Sequence, residues 1–285
     1  MGWILGAIAL PMILMEYYYT RERVTEEQGE SEETEPLPFR EQIKTVIHDR
    51  YWFVLMLYLF IYTLSMNFKN LSLLYYCNYV LGSYNDGITM TLVNVIGGIP
   101  MGLGIFAVWP IAKRAGLRNT TLVGFVIVAV GSAICAIVPT SMPIVLVGQF
   151  IKNIGCLPAA YVFMALFADV LDHCEWRFGF RCDGLSSAIY SITQTVCGGI
   201  ANGVFNLMLS VTGYIPPSVV DGVTVAAQQS DATKAVFVFF FLILDIITSI
   251  VIVFLLSKLD VEKTIGQEQA EIKSRHEAAA TELRE

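Results

Sequence analysis

Residues 119–138 read NTTLVGFVIVAVGSAICAIV, twenty positions without one Asp, Glu, Lys, Arg or His. At about 1.5 Å of rise per residue, a helix of that length is about 30 Å long, the thickness of a bilayer's hydrocarbon core. In lipid the backbone N–H and C=O groups meet no water, so the stretch must satisfy them internally as a helix. Outward from it the same reading recurs at 88–112 and 51–81 on one side, at 143–168, 185–213 and 234–257 on the other, and at 2–19 near the start. Long continuous runs of this kind exclude a transmembrane barrel, whose strands alternate over about ten residues. The expected fold is an all-α membrane protein of about seven transmembrane helices.

Composition agrees. Hydrophobic residues make up 55% of the 285 and charged residues 15%, against about a quarter charged in soluble domains. The net charge of -7 says little about a ligand, because much of the acid sits in two polar segments, Glu22 to Glu35 and Asp260 to Glu285. The expected surroundings are the lipid bilayer, and no nucleic-acid partner is expected. Six cysteines (Cys77, Cys135, Cys156, Cys174, Cys182, Cys197) lie in or beside apolar runs without paired spacing, as buried small residues would. His173, Cys174 and Cys182 lack the C-x-x-C that would make a zinc reading attractive, so no metal site is expected. Gly2 to Met15 has neither a basic region before it nor a cleavage pattern after it, and is read as a span.

Orientation follows from where the cations fall. Arg21, Arg23, Arg40, Lys44 and Arg50 occupy the first connection, Lys113, Arg114 and Arg118 the third, Arg177 and Arg181 the fifth, and Lys258, Lys263, Lys273, Arg275 and Arg284 the tail, whereas 82–87, 139–142 and 214–233 have none. The amino terminus is therefore expected outside and the carboxy terminus in the cytoplasm. Residues 1–19 form the first helix and 20–50 a cytoplasmic linker. In that linker Phe39, Ile43, Val46 and Ile47 recur at helical spacing, leaving an interfacial helix and a plain linker both open. Residues 51–257 hold six spans in two triplets of opposite starting orientation, as an inverted repeat would. Residues 258–285 form a charged cytoplasmic tail, read as a solvated helix or as disordered.

Candidate functional residues are polar groups inside apolar spans. Lys69, Lys152 and Asp245 would each cost about 2.5–3.5 kcal/mol at a helix centre without a partner or a wet cavity. Lys152 and Asp245 enter their spans at similar depth, so a structural ion pair between them stands as the plainer reading beside a functional one; Lys69 lines a cavity or snorkels outward. Asn67 and Asn70 flank Lys69, Gln149 and Asn153 share a face with Lys152, and Tyr190 and Gln194 share one on the span 185–213. These eight (Asn67, Lys69, Asn70, Gln149, Lys152, Asn153, Tyr190, Gln194) are the solute-path candidates. Lys69, Lys152, Asn153, Tyr190 and Gln194 are expected to face one shared polar cavity. Such hydroxyls and amides suit polyol recognition and equally bind helices together. Gly97, Gly98, Pro100, Gly102 and Gly104, and in the second triplet Gly198, Gly199 and Gly203, mark either close packing or moving elements.

Between two spans lies Leu166 to Gly184, LFADVLDHCEWRFGFRCDG. It resembles the A-D-x-x-D-x-x-E-x-x-x-G-x-R-x-E-G signature of the glycoside-pentoside-hexuronide:cation symporter family, melibiose-permease-like members of the major facilitator superfamily. Asp169, Asp172, Glu175, Gly179, Arg181 and Gly184 match, and Asp183 stands where Glu is usual. Thr20-Arg21-Glu22-Arg23-Val24 is similar to the family's exit from its sixth helix, and Tyr79-Val80-Leu81-Gly82 to the end of its seventh. Thr195 follows Gln194 where many relatives have Lys. The resemblance implies helices six to twelve, hence the carboxy-terminal six-helix half of a major facilitator fold. It further implies cation-coupled symport of a sugar, glycoside or related solute across the cell membrane. The family's cation-binding carboxylates lie in its first six helices. A coupling sodium or proton is accordingly expected to bind in an amino-terminal half outside this sequence, making the chain a fragment or one partner of a separate half. No other cofactor is expected. Asp169, Asp172, Glu175, Arg177, Arg181 and Asp183 are read as a cytoplasmic gate of exchanging ion pairs, the plainer alternative being positive-inside charge with countercharges.

Two other classes fit parts of the pattern. A seven-helix receptor would have the same topology, and a structural membrane protein would need no solute path. Catalysis is not expected, because His276-Glu277 is followed by Ala280 where a zincin needs His, and Gly184-Leu185-Ser186 lacks the closing Gly of G-x-S-x-G.

Overall fold

The computed structural model describes residues 2–19, 39–82, 84, 87–180, 182–220 and 223–282. Helix α1 runs Gly2–Tyr19, and α2 runs Phe39–Ile47. The linker segment 20–38 lies outside the described residues. Helix α3 (Arg50–Tyr76) continues through a π-helical turn, Cys77–Leu81. It begins where it does because the Asp49 side chain accepts from the backbone N–H groups of Tyr51 and Trp52, both at 2.9 Å, leaving two fewer orphan donors at the helix start.

Helices α4 (Gly87–Ala115), α5 (Leu117–Ile137) and α6 (Met142–Tyr161) follow. Val162 is a joint before α7 (Phe163–Phe178). Pro158, inside the last turn of α6, has no N–H to give the carbonyl one turn earlier, which accounts for the break. The helix thus continues well beyond residue 168, so most of the charged string expected to be a connection is α7 itself. It ends at Gly179, whose φ of 74° is the left-handed conformation glycine adopts at helix ends. Helix α8 is Asp183–Val211; a two-stranded hairpin, β1 (Ser218–Val220) with β2 (Val223–Val225), precedes α9 (Asp231–Val238). A second π-helical turn, Phe239–Ile243, leads into α10 (Leu244–Leu256), and α11 (Ile265–Glu282) closes the described chain.

Five helices among the described residues are long and apolar enough to cross a membrane: Arg50–Leu81, Gly87–Ala115, Leu117–Ile137, Met142–Phe178 and Asp231–Lys263. The remaining expected spans, α1 and α8, are helical without joining these five. In α8 the row Ser187, Ser191, Gln194, Thr195, Asn202 and Asn206 dilutes the apolar character.

Packing centres on α5 against α6. A Cβ on Gly131 would lie 2.6 Å from the backbone N of Lys152, and one on Gly124 would lie 2.6 Å from the carbonyl O of Gly155, so only glycine permits the approach. Helix α4 lies on α6, α10 on α5 and α3, α8 on α3, and α11 on α7. Two large clusters dominate the core, beside a small third one of Val108, Ala112, Leu157 and Val162. One cluster gathers Trp52, Leu55, Leu59, Phe163, Leu166, Ile252 and Leu256, and the other gathers Phe68, Tyr76, Val145, Phe205, Phe237 and Phe241. All six cysteines are buried and free, as expected.

Candidate functional site

Three helices place a polar residue between the two apolar clusters. Helix α3 offers Ser65 between Leu59 and Phe68, α6 offers Lys152 between Val145 and Cys156, and α10 offers Asp245 between Leu242 and Ile252. Lys152 Nζ forms an ion pair with Asp245 Oδ2, and the two side chains are 1% and 7% exposed. The Ser65 hydroxyl donates to Asp245 Oδ1 at 2.7 Å and lies 3.0 Å from the Thr248 hydroxyl. Lys152 Nζ also sits 5.5 Å from the centroid of Phe241, on the π-helical turn just before Asp245. With both charges paired and the second carboxylate oxygen hydrogen-bonded, the cost of holding them in an apolar interior is offset. The ion pair of Lys152 with Asp245 is thus present. About 20 Å3 remains open beside Tyr62, Ser65, Lys152, Cys156 and Asp245, room for about one water and too little for a sugar.

The other solute-path candidates are distributed around this pair. Gln149 is buried, its Nε2 3.9 Å from Cys135 Sγ. Asn153 points across to α4, where its Nδ2 would be 2.9 Å from a Cβ on Gly97. Lys69 is half-buried and interacts electrostatically with Lys152 and Asp245. Asn67 donates to Thr63 O at 2.8 Å beside Gly198 of α8, and Asn70 is exposed. Gln194 Nε2 donates to the Tyr190 hydroxyl at 3.1 Å, and Tyr190 packs on Phe163 and Phe167. Of the five residues expected to share one cavity, Lys152 lines the small space just described, and Lys69, Asn153, Tyr190 and Gln194 are not among its lining residues.

On α8 the residues Ser187, Ser191, Gln194, Thr195, Asn202 and Asn206 are all exposed. Their steps of three, four and seven, with Gln194 and Thr195 adjacent, put them in one seam. Several turn back onto their own helix: Ser191 donates to Ser187 O at 3.0 Å, Asn202 to Gly198 O and Asn206 to Asn202 O, both at 2.8 Å. Each amide keeps its carbonyl and a further N–H for an outside partner.

The charged helix ends form a second cluster, organised on Asp49. Besides capping α3, this fully buried carboxylate accepts from Arg177 Nη1 at 2.7 Å and stands 3.6 Å from His173 Nε2. Burial pushes its pKa up, but the His173, Trp52 N–H and Arg177 contacts prevail and hold it at about 2. His173 Nδ1 is 2.9 Å from Glu268 of α11. Helix α11 lies along α7: Gln269 donates to Asp172 at 2.8 Å, Trp176 Nε1 to Glu271 at 2.7 Å, Arg275 to the Trp176 carbonyl at 3.0 Å, and His276 is 3.1 Å from Glu175. The tail, expected to be a solvated helix or disordered, is a largely exposed helix, one side of which docks on α7. Of the gate candidates, Asp169 has Glu262 and Asp172 as electrostatic neighbours, Asp183 opens α8, and Arg181 lies outside the described residues. Asp49, His173 and Glu268 are the members that the sequence reading missed. An Asp directly before a long apolar run is a helix-start signal that could have found the first.

Residues 1–263 match the family of MFS/sugar transport proteins. The chain belongs to this family. Among individual relatives it is 27% identical to the isoprimeverose transporter of Lactiplantibacillus pentosus over 225 residues, 75% of this chain and 44% of that one. It is 30% identical to the glucuronide carrier protein homolog of Escherichia coli (strain K12) over 149 residues, 50% of this chain and 31% of that one. With an uncharacterized symporter of Bacillus subtilis (strain 168) it shares 23% over 185 residues, 65% of this chain and 40% of the other. The chain spans less than half the length of these relatives. The resemblance drawn from Leu166 to Gly184 agrees with all three, and the protein is a multi-pass member of a transporter family.

Proposed function

We propose that this chain forms one wall of the path through a secondary transporter of a sugar, glycoside or related solute. The observation that carries the reading is the exposed seam of hydroxyls and amides on α8, running through a protein otherwise made to meet lipid. Facing hydrocarbon, each unsatisfied amide would cost several kcal/mol; facing a water-filled path, the same groups bind solute hydroxyls. Tyr190 and Gln194 supply neutral donors and acceptors at one end of the seam. Membership of the transporter family supports transport over the receptor, structural and enzyme alternatives, and the names of the relatives support sugars and glycosides as the solute class. Coupling to sodium or a proton rests on the resemblance alone. In this reading the Asp49, Asp172, Glu175 and Arg177 contacts hold the cytoplasmic side closed and exchange when it opens. The membrane is the cell membrane, with the amino terminus outside and the carboxy terminus in the cytoplasm, a reading that rests on the cation distribution.

The test replaces Ser191, Gln194, Thr195 and Asn202 singly by Cys and labels membranes with a charged, membrane-impermeant maleimide and with a lipid-soluble one. The buried native cysteines keep the background low. Labelling by the charged reagent, slowed by a transported sugar or glycoside, is the expected result. Labelling by the lipid-soluble reagent alone would put the seam in the bilayer and overturn the proposal.

A further inference from the structure

At the start of α3, outside the buried ion pair and the α8 seam, a concavity of about 730 Å3 is lined by Arg50, Tyr51, His173, Trp176, Arg177 and Arg275. That volume is within the ~300–1,000 Å3 usual for small-molecule sites. Three guanidinium groups from three elements meet there: Arg50 opens α3, Arg177 ends α7, and Arg275 belongs to the docked α11. Among the described residues no carboxylate lines it. Asp49 and Glu268 lie buried behind the wall, already engaged by Arg177 and His173. Arg177 commits one nitrogen to Asp49 and keeps its other donors. Arg275 stands 3.7 Å from Glu271, and Arg50 makes no hydrogen bond or ion pair among the described residues, with Asp260 a more distant electrostatic neighbour. Two aromatic walls complete it, since the His173 ring has Tyr51 edge-on at 4.9 Å and Trp176 at 5.9 Å.

We propose that this concavity is a binding site for a phosphate-bearing anion, gripped by Arg50 and Arg275 with Arg177 at its floor. Planar guanidinium forks match phosphate oxygens two at a time. Arg50 begins a membrane-crossing helix, so the site lies level with lipid headgroups; an anionic phospholipid and a soluble phosphate present the same chemistry. Either ligand would tie α11 to the start of α3 across the end of α7, tightening the contacts organised on Asp49. Glu271, exposed at the rim and bonded to Trp176, opposes the anion.

The experiment uses the purified full chain in a neutral detergent. In one arm, native mass spectrometry compares retention of dioctanoyl phosphatidylglycerol and dioctanoyl phosphatidylcholine; in the other, inorganic phosphate is titrated against tryptophan emission. The expected result is at least a fivefold preference for the anionic lipid, or saturable phosphate binding. R50Q/R275Q abolishes it, R50K/R275K keeps most of it, and E271Q strengthens it. R50Q alone, which disturbs no hydrogen bond among the described residues, lowers it at least twofold and guards against loss of α11 docking in the double variant. Binding in the lipid arm assigns the site to a headgroup, and binding in the phosphate arm alone to a soluble anion. Absence of binding in both arms, or binding indifferent to R50Q and R50Q/R275Q, overturns the proposal.

Discussion

Removing one member of the Lys152–Asp245 pair should cost far more than removing both. In D245N the Lys152 ammonium stays where it is, 1% exposed, with Phe241 below it and no countercharge. In K152M the Asp245 carboxylate keeps the Ser65 hydroxyl and loses its cation. Breaking a buried pair in this way costs about 3–5 kcal/mol, whereas replacing both members by apolar residues of similar volume ranges from neutral to about 1–4 kcal/mol stabilising. In K152M/D245L the Ser65 hydroxyl still has Thr248 at 3.0 Å, so no new orphan group appears. The assay follows from the cysteines: all six are buried and free, so a maleimide that fluoresces on reaction reports unfolding as the sample is heated. Each single variant should melt on the order of 10 °C lower, and the double variant should return to wild-type stability or exceed it. Single variants within about 1 kcal/mol of wild type, or a double variant as low as the two losses added, would refute the account of a sealed, mutually dependent pair. If the double variant is stable and transport in the intact transporter survives, the pair is scaffolding; if stability survives and transport is lost, its charges take part in the cycle.

Three further outcomes are expected. Because the Asp49 carboxyl is held at about 2 against an ordinary 3.8, at about 1.4 kcal/mol per unit it contributes about 2 kcal/mol. For a depressed acid this is fully present above pH ~4 and lost as pH falls through about 2. The gap in melting temperature between wild type and D49N should therefore close as pH falls from about 4 to about 2, and a gap that widens across that window would contradict the sign. G131A places a Cβ 2.6 Å from a backbone nitrogen that cannot turn aside and should lose at least about 1–3 kcal/mol, while G102A meets nothing within 4 Å and should leave the melting curve within about 1 kcal/mol of wild type. Glu262 accepts from the backbone N–H of Leu117 and, at 3.0 Å, from that of Arg118, so E262A should cost about 1 kcal/mol as a lost helix cap, with E262Q in between when both are measured by thermal melting.

Five of the seven expected spans were legible because lipid leaves a long apolar run no alternative to helix, and the Lys152–Asp245 pair because two isolated charges at similar depth have little else to bond. The end of α7 was not legible in the same way. Its last turns carry Asp169, Asp172, Glu175 and Arg177, and charge density reads as a connection although those residues sit on a continuous helix. The docking of α11 was hidden for a related reason: Glu268, Gln269, Glu271 and Arg275 look like a solvated face until His173, Asp172 and Trp176 are known to lie opposite. Gly124 and Gly131 on one span, and Gly148 and Gly155 on the next, carry a matching seven-residue step that was passed over in favour of the denser glycines of α4. The π-helical turns before Asp245 and after Tyr76 have no local signature; beside them the rings of Tyr76 and Phe241 stack across helices.

The glycine contacts between α5 and α6 also fix what the gene can tolerate. Each glycine lies opposite a backbone atom of the other helix, so the two spans are in register along their length, like teeth of one zip. One inserted residue in α5 between Gly124 and Gly131 would rotate everything beyond it by about 100°, swing a side chain into the Lys152 backbone and carry Gly131 away from it. Substitutions elsewhere on these spans can accumulate singly, but a change of length can persist only with a compensating change within the same few turns. Insertions and deletions should accordingly be confined to the connections outside these two helices.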